Sequence, residues 1–583
     1  MQLFRIRGGV HPDDRKTLVA GRPIEPLPMP KLLHIPLQQH IGAIANPLVQ
    51  RRQYVAKGER IAQAQGAVSA PIHAPTSGRI VGLGLYPANH PSGLSVRTIT
   101  LQPDGKDRWH KRIEGVADPF ALEPAEIAKR VADAGVVGMG GATFPSAVKL
   151  GLGKRYKLST LVINGSECEP YLTCDDQLMR EQAEAIVDGA RIMARALGVD
   201  RLLFGIEGNK PEALAAMQRA TAELDGADVV RLPMRYPMGS EKHLVQTLTG
   251  KETPARGLTA DIGVVVHNPA TAFAVHEALR FGQPLVSRVI SVTGGAISAP
   301  KNLRVLIGTK IEDLIEHCGR FREDPERLIA GGPMMGQPIP ELRVPVMKGT
   351  NGILALTAAE TGKRDPQPCI RCGSCVQACP CGLVPLGMAA HVRSGDLDGA
   401  VSTGLMDCIG CGSCAYVCPA HIPLVQFFNH AKGELAARGR AKQKQTETKR
   451  LAEHRAQRLE AQKRAKREAM AKRKREAEAK KQAEAKKQAE AKKQAEAKAQ
   501  AEAKAQAEAK AQAEAKAQAE AKAQAEAKAQ AEAERQAVAH QQVIAANQAE
   551  AKIEPQTEPS AENGLEQAPE SNQDKAVAEA QAC

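Results

Sequence analysis

The sequence predicts a multidomain chain of mixed α/β and α+β architecture, followed by a long helical or disordered tail. Three observations support this prediction: two cysteine-rich runs within residues 360–430, an alternation of helix and strand patterns within residues 116–285, and an abrupt change of composition near residue 431. The chain has 583 residues. Because the composition changes near residue 431, the globular part is expected to comprise about 430 residues, enough for three or four domains.

The first segment, residues 1–115, contains short strand patterns separated by turn residues. The stretches YVAKGERIAQAQ and VSAPIHAPTSGRIVGLGL resemble the barrel-sandwich half-domain of lipoyl and biotinyl carriers. In that pattern the carrier lysine lies eight residues before the position of Pro75, where this chain has Ala67. We therefore expect a structural or docking domain instead of a swinging arm, and we expect His73 to be packed or at the surface.

Residues 116–285 alternate between helix and strand patterns. A helix pattern through AEIAKRVADAG precedes a glycine loop and the strand pattern TLVING. A long helix pattern, QLMREQAEAIVDGARIMARALG, a strand pattern, RLLFGIEG, and a helix pattern from PEALAAM follow. This alternation predicts an α/β domain with a largely parallel sheet.

The glycine loop, residues 135–145 with the sequence GVVGMGGATFP, offers backbone amides that no side chain obstructs. It leads into a helix expected to begin near Pro145, with Lys149 one turn further on. It is not a dinucleotide fingerprint, because that motif follows a strand and needs a third glycine where this chain has Thr143. A phosphate or a flavin ring suits such a loop, and a tight packing turn is the alternative.

Eight of the thirteen cysteines form two copies of the pattern CxxCxxCxxxCP. The first copy is Cys369, Cys372, Cys375 and Cys379, and the second is Cys408, Cys411, Cys414 and Cys418. In bacterial ferredoxins with this spacing, three cysteines of a run bind one [4Fe-4S] cluster and the fourth binds the other. Residues 360–430 are therefore predicted to form a ferredoxin-type, α-helical domain with two clusters, in which Cys418 completes the first cluster and Cys379 the second.

Structural zinc and a disulfide framework are the alternatives for these cysteines. Zinc ribbons take two cysteines from each of two hairpins, whereas each run here offers four. The N-terminus has no apolar stretch of signal-peptide length, which favours a reducing cytosol over disulfides. We expect the leftover cysteines to be buried or inert, with Cys168 the one candidate for contact with a bound group; they are Cys168, Cys174, Cys318, Cys381 and Cys583.

The tail differs in composition from the rest of the chain. Residues 431–553 are first basic and then repeat AEAKKQ and AEAKAQ, which contain strong helix formers but no apolar face. A solvated single helix or a disordered tail is predicted. Residues 554–583 are rich in Glu, Gln, Pro, Ser and Asn and are predicted to be disordered.

The net charge of +14 is concentrated in residues 440–480, which carry 16 Lys and Arg against 6 Glu. Such a run is usually a solvated helix face, and the functional alternative is contact with anionic lipid or an acidic partner. We expect no nucleic-acid partner, because this run has no aromatic residue to stack on bases. No stretch approaches 18 consecutive apolar residues, so we expect no transmembrane helix and only peripheral membrane association.

Four motifs resemble, in order, the FMN and NADH site of the flavoprotein subunit of respiratory complex I. The matching positions are Gly138, Gly140, Gly141, Phe144 and Lys149, then Asn164, Glu167 and Glu169, then Tyr236, Gly239 and Glu241, and finally Asn268 and Thr271. Ser166 stands where that family has an aspartate, and Ser240 replaces the first of its paired glutamates. We therefore expect this chain to share the FMN contacts of that family more closely than its NADH contacts.

The resemblance assigns roles to several of these residues. It implies that the glycine loop and Lys149 hold the flavin phosphate, and that Asn164 and Glu241 orient the ring system. It also implies that NADH stacks on FMN near Phe144 and Glu169.

Residues 286–350 include SVTGGAISAPKNLRVLIGTKIEDLIEHCG, which resembles the β-grasp module that follows the flavin domain in the same family. The order of domains over residues 1–430 resembles the RnfC family, whose members belong to the Rnf-type ion-translocating electron transport complexes, called Rsx in some bacteria. That resemblance implies a peripheral protein on the cytoplasmic face of the bacterial inner membrane. Its implied partners are integral membrane and iron-sulfur subunits of the same complex, with a ferredoxin-like carrier reached indirectly.

The resemblance also implies that electrons pass from NADH through FMN and the two clusters to a membrane partner, coupled to ion translocation. A flavin is needed because a nicotinamide gives two electrons as a hydride, whereas a cubane cluster accepts one at a time. Two alternatives stay open. One is a soluble diaphorase subunit of a hydrogenase or formate dehydrogenase, and the other is an iron-sulfur relay and docking subunit without flavin.

Overall fold

The computed structural model describes residues 2–89, 94–111, 114–362 and 364–534. The predicted disordered C-terminus, residues 554–583, and the end of the predicted helical tail lie outside the described residues. The chain divides into two units, Met1–Lys449 and Arg450–Cys583. Among the described residues, no helix is long and apolar enough to cross a membrane.

The N-terminal domain has two small antiparallel sheets with a shared core. The first eight strands of the chain are β1 (Glu25–Pro26), β2 (Leu33–Pro36), β3 (Asn46–Pro47), β4 (Tyr54–Val55), β5 (Arg60–Gln63), β6 (Ile72–His73), β7 (Gly78–Pro87) and β8 (Ser95–Pro103). One sheet has the order β2-β8-β7-β4 and the other β3-β5-β6. Ile35, Ile61 and Ile99 are fully buried in the common core, which gives the barrel-sandwich arrangement.

Residues 2–22 precede the strands of the barrel-sandwich domain and contact the α/β domain instead. The backbone N–H of Phe4 donates to the carbonyl of Thr247 at 2.9 Å, and Val10 forms a β-bridge with Tyr236. The following strand, β1, pairs with a strand of the β-grasp module. The N-terminal segment therefore connects domains that are distant in sequence.

The α/β domain contains four parallel strands surrounded by helices. Its elements are α1 (Pro124–Asp133), α2 (Ser146–Leu150), β9 (Thr160–Gly165), α3 (Cys174–Glu181), α4 (Ala183–Leu197), β10 (Arg201–Glu207), α5 (Pro211–Thr221), β11 (Ala227–Leu232), α6 (Glu241–Thr249), β12 (Val264–His267) and α7 (Pro269–Arg280). The strand order is β11-β10-β9-β12. The chain adds strands on one side of β9 and then places β12 on the other, and such a reversal opens a ligand-binding crevice at the carboxyl ends of the strands.

The prediction of one long helix after β9 is wrong, because the structure has two helices there. Gln182, between α3 and α4, has φ −130° and ψ 32°, which is not helical. The residues around it are good helix formers, so propensity gives no sign of the break, and tertiary packing decides it. α4 packs closely on α7, where a Cβ at Gly189 would lie only 1.9 Å from the carbonyl oxygen of Ala272.

The β-grasp module forms a six-stranded sheet. Its elements are β13 (Ser287–Thr293), β14 (Lys301–Leu306), α8 (Ile311–His317), β15 (Arg327–Ala330), β16 (Gln337–Pro338) and β17 (Gly352–Leu356). The order is β1-β14-β13-β17-β15-β16, with β13 and β17 parallel at the centre. α8 covers the sheet through Leu314, which shares a core with Ile290 and Ile353.

The cysteine-rich region is a set of short helices. They are α9 (Ala358–Thr361), α10 (Ser374–Ala378), α11 (Pro385–Arg393), α12 (Leu397–Ser402) and α13 (Ser413–Tyr416), followed by the long α14 (Leu424–Glu534). α10 and α13 each follow a left-handed glycine, Gly373 (φ 77°) and Gly412 (φ 83°), at equivalent positions of the two cysteine runs. α14 begins with the buried Leu424 and Phe428, and residues 436–525 are exposed throughout.

Candidate functional site

A cavity of about 830 Å³ lies at the carboxyl ends of β9 and β12. Its size is within the range of small-molecule and cofactor pockets. All four folded domains contribute to its wall: residues 38–40 of the barrel-sandwich domain, the loops after β9 and β12, residues 330–332, 335–337, 347 and 349–351 of the β-grasp region, and Ile409 and Cys411. The crevice at the sheet reversal is therefore bordered by the other domains.

Eight of the thirteen predicted cofactor-binding residues line this cavity. They are Gly140, Gly141, Asn164, Glu167, Glu169, Tyr236, Gly239 and Asn268. The structure does not bring the other five into the wall; they are Gly138, Phe144, Lys149, Glu241 and Thr271.

Three of those five residues, Gly138, Phe144 and Thr271, form hydrogen bonds that fix the shape of the glycine loop. The backbone N–H of Gly138 donates to the carbonyl of Phe144 at 2.8 Å, which closes the loop. The hydroxyl oxygen of Thr271 accepts from the backbone N–H of Met139 at 2.9 Å. These bonds position the amides of residues 140 and 141 at the cavity.

The other two residues pair with each other. Lys149 Nζ lies 2.9 Å from Glu241 Oε2 and donates also to the carbonyl of Val266 at 3.0 Å. The structure thus gives Lys149 and Glu241 partners within the α/β domain. Sequence spacing alone could not reveal this pair, because its members lie 92 residues apart.

Bare backbone at the glycines leaves room for a bound group. Gly141 has φ 109°, and no atom lies within 4 Å of where its Cβ would be. A Cβ at Gly239 would lie 3.0 Å from Cys168 Sγ, and one at Gly140 would lie 3.4 Å from Asn268 Cβ. Side chains here would fill the cavity, so these residues fit the flavin that the motifs predict.

The loop after β9 is held by Lys16, which the sequence did not indicate. This buried lysine donates from Nζ to the carbonyls of Glu167 at 2.9 Å and Glu169 at 3.0 Å, and to that of Leu172. Burial lowers the pKa of Lys16. Glu167 (φ 42°) and Tyr171 (φ 68°) adopt backbone conformations that cost energy in non-glycine residues, so the loop needs such support.

Lys210 supports the same loop from the α/β domain. It is fully buried, and its Nζ donates to the carbonyl of Ser166 at 2.6 Å and lies 3.4 Å from Glu207 Oε2. Ser166 and Glu167 thus each have a backbone carbonyl bonded to a different lysine.

A pair of carboxyl groups borders the cavity at the start of α3. Glu167 accepts from the backbone N–H groups of Asp175 at 2.7 Å and Asp176 at 3.2 Å, which caps the helix. Asp175 accepts from the side-chain amide of Asn268. Burial, together with the Glu167 carboxylate, raises the pKa of Asp175. Sequence reasoning missed Asp175, although it lies in the first turn of α3, shortly after the second motif.

Glu169 connects the loop after β9 with the β-grasp region. Its carboxylate accepts from the backbone N–H groups of Met334 at 3.0 Å and Met335 at 2.9 Å. Removal from water raises the pKa of Glu169 to about 7, and these two bonds oppose the shift. The glycine-rich sequence AGGPMMG, residues 330–336, was an available signal for this part of the wall.

Tyr236 joins the cavity to the cysteine-rich domain. It lines the cavity, and its hydroxyl donates to the carbonyl of Cys411 at 2.6 Å. Burial raises the pKa of Tyr236, which keeps the hydroxyl protonated as a donor. Cys168, from the neighbouring loop, also lines the cavity and accepts through Sγ from the backbone N–H of Gly239 at 3.2 Å.

The structure brings the fourth cysteine of each run toward the other run. A second, small cavity of about 20 Å³ is lined by Cys379 together with Cys408, Cys411 and Cys414. Cys375 lies near Cys372 and Cys418. Two interlocked groups of cysteines, each drawing on both runs, suit two [4Fe-4S] clusters. Cys369 and Cys372 are exposed, whereas Cys411 and Cys414 are buried.

Four family models match successive segments of the chain. They describe an RnfC barrel sandwich hybrid domain (residues 4–106), a Nuo51 FMN-binding domain (131–277), an SLBB domain (289–338) and a 4Fe-4S dicluster domain (361–446). The C subunit of the ion-translocating oxidoreductase complex of Rhodobacter capsulatus is 60% identical over 439 residues, which are 75% of this chain and 84% of that protein. This chain belongs to the RnfC family.

Other members of the RnfC family are more distant. In Clostridium ljungdahlii, the C subunit of the proton-translocating ferredoxin:NAD(+) oxidoreductase complex is 45% identical over 75% of this chain and 95% of its own length. The corresponding protein of Pseudomonas aeruginosa is 44% identical over 74% of this chain and 56% of its own length. Among solved structures, an NAD+-reducing [NiFe]-hydrogenase in the H2-reduced state matches 55% of this chain and 62% of its own, at 20% identity and a TM-score of 0.39.

Family membership confirms the predicted resemblance to RnfC. The chain is an oxidoreductase subunit that transfers electrons in a membrane complex. Its cofactors are FMN and two [4Fe-4S] clusters, as predicted from the motifs and the cysteine spacing. Other subunits of the same complex are its partners.

We expect Lys16→Met to weaken FMN binding. The substitution keeps an apolar chain of similar length but leaves three loop carbonyls without their donor, at a cost of about 1–3 kcal/mol for each unsatisfied group. Because about 1.4 kcal/mol corresponds to a tenfold change, the dissociation constant of FMN should rise at least tenfold on titration of the flavin-depleted protein. The exposed Lys31 offers a matched control, and equal FMN affinity in Lys16→Met and Lys31→Met would contradict the role of Lys16.

We expect Glu169→Gln to change how stability depends on pH. A carboxyl group whose pKa is higher in the folded than in the unfolded chain stabilises the fold at low pH and loses that contribution as pH rises. For Glu169 the loss falls between its ordinary pKa of 4.5 and its raised value of about 7. The melting temperature of Glu169→Gln relative to the parent should therefore rise between pH 5 and pH 8, by on the order of 2 °C or more.

The exposed Glu223→Gln variant controls for the loss of one charge. A difference between Glu169→Gln and the parent that stays constant from pH 5 to pH 8 would show that Glu169 does not titrate in this window.

Proposed function

We propose that this chain exchanges electrons with NADH at the flavin cavity and passes them singly through the two clusters to other subunits. When bound, FMN supplies the chemistry that links a two-electron nicotinamide to one-electron clusters. One observation carries the proposal: the cavity that contains the flavin-motif residues also contains Ile409 and Cys411 of the second cysteine run.

The chain's own residues would hold and orient the flavin. The bare backbone of Gly140, Gly141 and Gly239 admits it, and the glycine loop presents amides to its phosphate. Asn164 is already oriented, since its amide donates to the carbonyl of Gly239 at 2.8 Å. The carboxyl group of Glu169 lies in the same wall, where a protonated form would add a hydrogen-bond donor.

The arrangement of the cysteines gives the two clusters different positions along the electron path. The cluster assigned to Cys379, Cys408, Cys411 and Cys414 is next to the flavin cavity, since Cys411 lines both cavities. The cluster assigned to Cys369, Cys372, Cys375 and Cys418 has two exposed ligands. We therefore assign the first as the flavin-side cluster and the second as the exit cluster toward a partner.

NADH as the substrate is supported by a relative and by the order of the motifs. The Clostridium ljungdahlii relative is named as part of a ferredoxin:NAD(+) oxidoreductase complex, and the four motifs follow the order of a site that takes both FMN and NADH. Ser166 and Ser240 are the two positions where this chain departs from the nucleotide contacts of that site. Ser240 lines the cavity, whereas the Ser166 hydroxyl oxygen is buried without a hydrogen-bond partner among the described residues.

We also propose the setting of the protein. It lies peripherally on the cytoplasmic face of the inner membrane, beside integral membrane and iron-sulfur subunits, and communicates indirectly with a ferredoxin-like carrier. The names of the relatives, which include ion and proton translocation, support this setting. Domain boundaries at residues 115, 285, 350 and 430 are part of the same proposal.

The basic segment, residues 440–480, is proposed to contact anionic lipid. It is helical and exposed along its whole length, with 16 Lys and Arg against 6 Glu. Basic residues near an anionic membrane surface each contribute about 1 kcal/mol of attraction.

The function is tested by anaerobic purification of the full chain, with assays of flavin, iron and sulfide. We expect about one FMN and about eight iron atoms per chain, as two cubanes require, and bleaching of the visible spectrum by NADH. Eight iron atoms without flavin or response to NADH would reduce the chain to an electron relay.

A matched pair of ligand variants tests the assigned path. In Cys369→Ala, which disturbs the exit cluster, NADH should still reduce the flavin-side cluster. In Cys408→Ala, which disturbs the flavin-side cluster, reduction of the exit cluster by NADH should slow severalfold or stop. The opposite pattern, measured by rapid-freeze EPR, would reverse the assignment of the two clusters.

The lipid proposal is tested with vesicles that contain phosphatidylglycerol. A chain ending after residue 481 keeps the basic segment and should sediment with the vesicles, whereas a chain ending after residue 439 should not. The cut at 439 spares Phe428 and Ala431, which are buried in the dicluster core. Binding should fall when salt is raised to on the order of 0.5 M, and equal sedimentation of both chains would assign membrane contact to the folded domains.

A further inference from the structure

Five cysteines, and not four, surround the small cavity of the flavin-side cluster. Cys381 lines this cavity together with the four assigned ligands, Cys379, Cys408, Cys411 and Cys414. It follows Cys379 in the sequence, with only Pro380 between them. A [4Fe-4S] cluster needs four thiolates, so one thiol in this pocket is surplus.

The surplus thiol belongs to the same cavity as the fourth ligand. Cys379 and Cys381 both line it, together with Cys408, Cys411 and Cys414 of the second run. The other unassigned cysteines among the described residues are elsewhere: Cys168 is at the flavin cavity, and Cys174 and Cys318 are in apolar cores. Cys381 is therefore distinguished from them by its position.

The second cysteine run provides an internal comparison. Both runs have a left-handed glycine after their second cysteine, Gly373 and Gly412, and both end in Cys-Pro. Two residues after Cys418, however, the chain has Ala420, which is buried. The exit cluster thus has no spare thiol at the position that Cys381 occupies beside the flavin-side cluster.

We propose that Cys381 is a reserve ligand that can replace Cys379 on the flavin-side cluster. In this exchange the bond between iron and Cys379 Sγ breaks and a bond between the same iron and Cys381 Sγ forms. The proton of the Cys381 thiol moves to the Cys379 sulfur, so that no electron is gained or lost. Both thiols line one small cavity, so the proton passes between neighbouring residues of the same wall.

This inference rests on the proposed assignment of the eight ligand cysteines, and the experiment tests both. The full-length protein is purified without oxygen as five forms: the parent, Cys381→Ala, Cys379→Ala, the double variant Cys379→Ala/Cys381→Ala, and Cys418→Ala. Iron and sulfide per chain and the EPR spectrum of the oxidised and reduced proteins are measured. FMN content in each form reports whether the fold is intact.

The parent, Cys381→Ala and Cys379→Ala should each hold about eight iron atoms, because each retains four thiols for each of the two clusters. The double variant and Cys418→Ala should each hold about seven or fewer, with a three-iron EPR signal or loss of one cluster, because each leaves one cluster with three thiols. FMN content should stay at the parental level in all five.

Equal iron content in Cys379→Ala and the double variant overturns the proposal, whether both keep eight atoms or both lose them. Loss of iron in both, with FMN retained, would show that the Cys381 thiol cannot reach the cluster. Eight iron atoms in Cys418→Ala would overturn the ligand assignment and the reserve ligand together.

Discussion

The hydrogen bond from the Tyr236 hydroxyl to the Cys411 carbonyl connects the two redox parts of the molecule. A flavin can serve one-electron carriers only when the nearest cluster is fixed beside it, and this bond holds Cys411, a proposed cluster ligand, at the cavity wall. A second contact strengthens the connection, since His243 Nε2 lies 3.1 Å from the carbonyl oxygen of Pro380. The α/β domain thus contacts both cysteine runs.

Buried lysines bind backbone carbonyls around the cavity and between the domains that form its wall. Lys16 and Lys210 bind the carbonyls of the loop after β9. Lys348 does the same between domains: its Nζ donates to the carbonyls of Pro71 at 2.8 Å and Gly135 at 2.7 Å, and burial lowers its pKa to about 7. A buried ammonium group is costly unless it is fully bonded, so these sites permit little change in the relative positions of the domains they join.

Local patterns predicted the parts of the site that depend on local chemistry. Cysteine spacing indicated two interlocked clusters, because that pattern follows from chain geometry over a few residues. The glycine loop alone left a bound phosphate or flavin and a packing turn open, and FMN was predicted from the resemblance of four motifs in order. The partners of Lys149 and the role of Lys16 could not be predicted, since they depend on contacts 92 and 151 or more residues away. The break at Gln182 was missed for the same reason, because packing overrides the strong helix propensity there.

The N-terminal segment has a consequence for the order in which the protein is made. Lys16 is synthesised 151 to 156 residues before the outermost carbonyls that it binds. The gap is longer for β1, because Glu25 pairs with Leu303. At about 5–20 residues per second, the first gap alone lasts on the order of ten seconds. The barrel-sandwich domain is complete well before then, whereas the wall of the flavin cavity is complete only after Cys411 has been made, so the whole site forms late in biosynthesis.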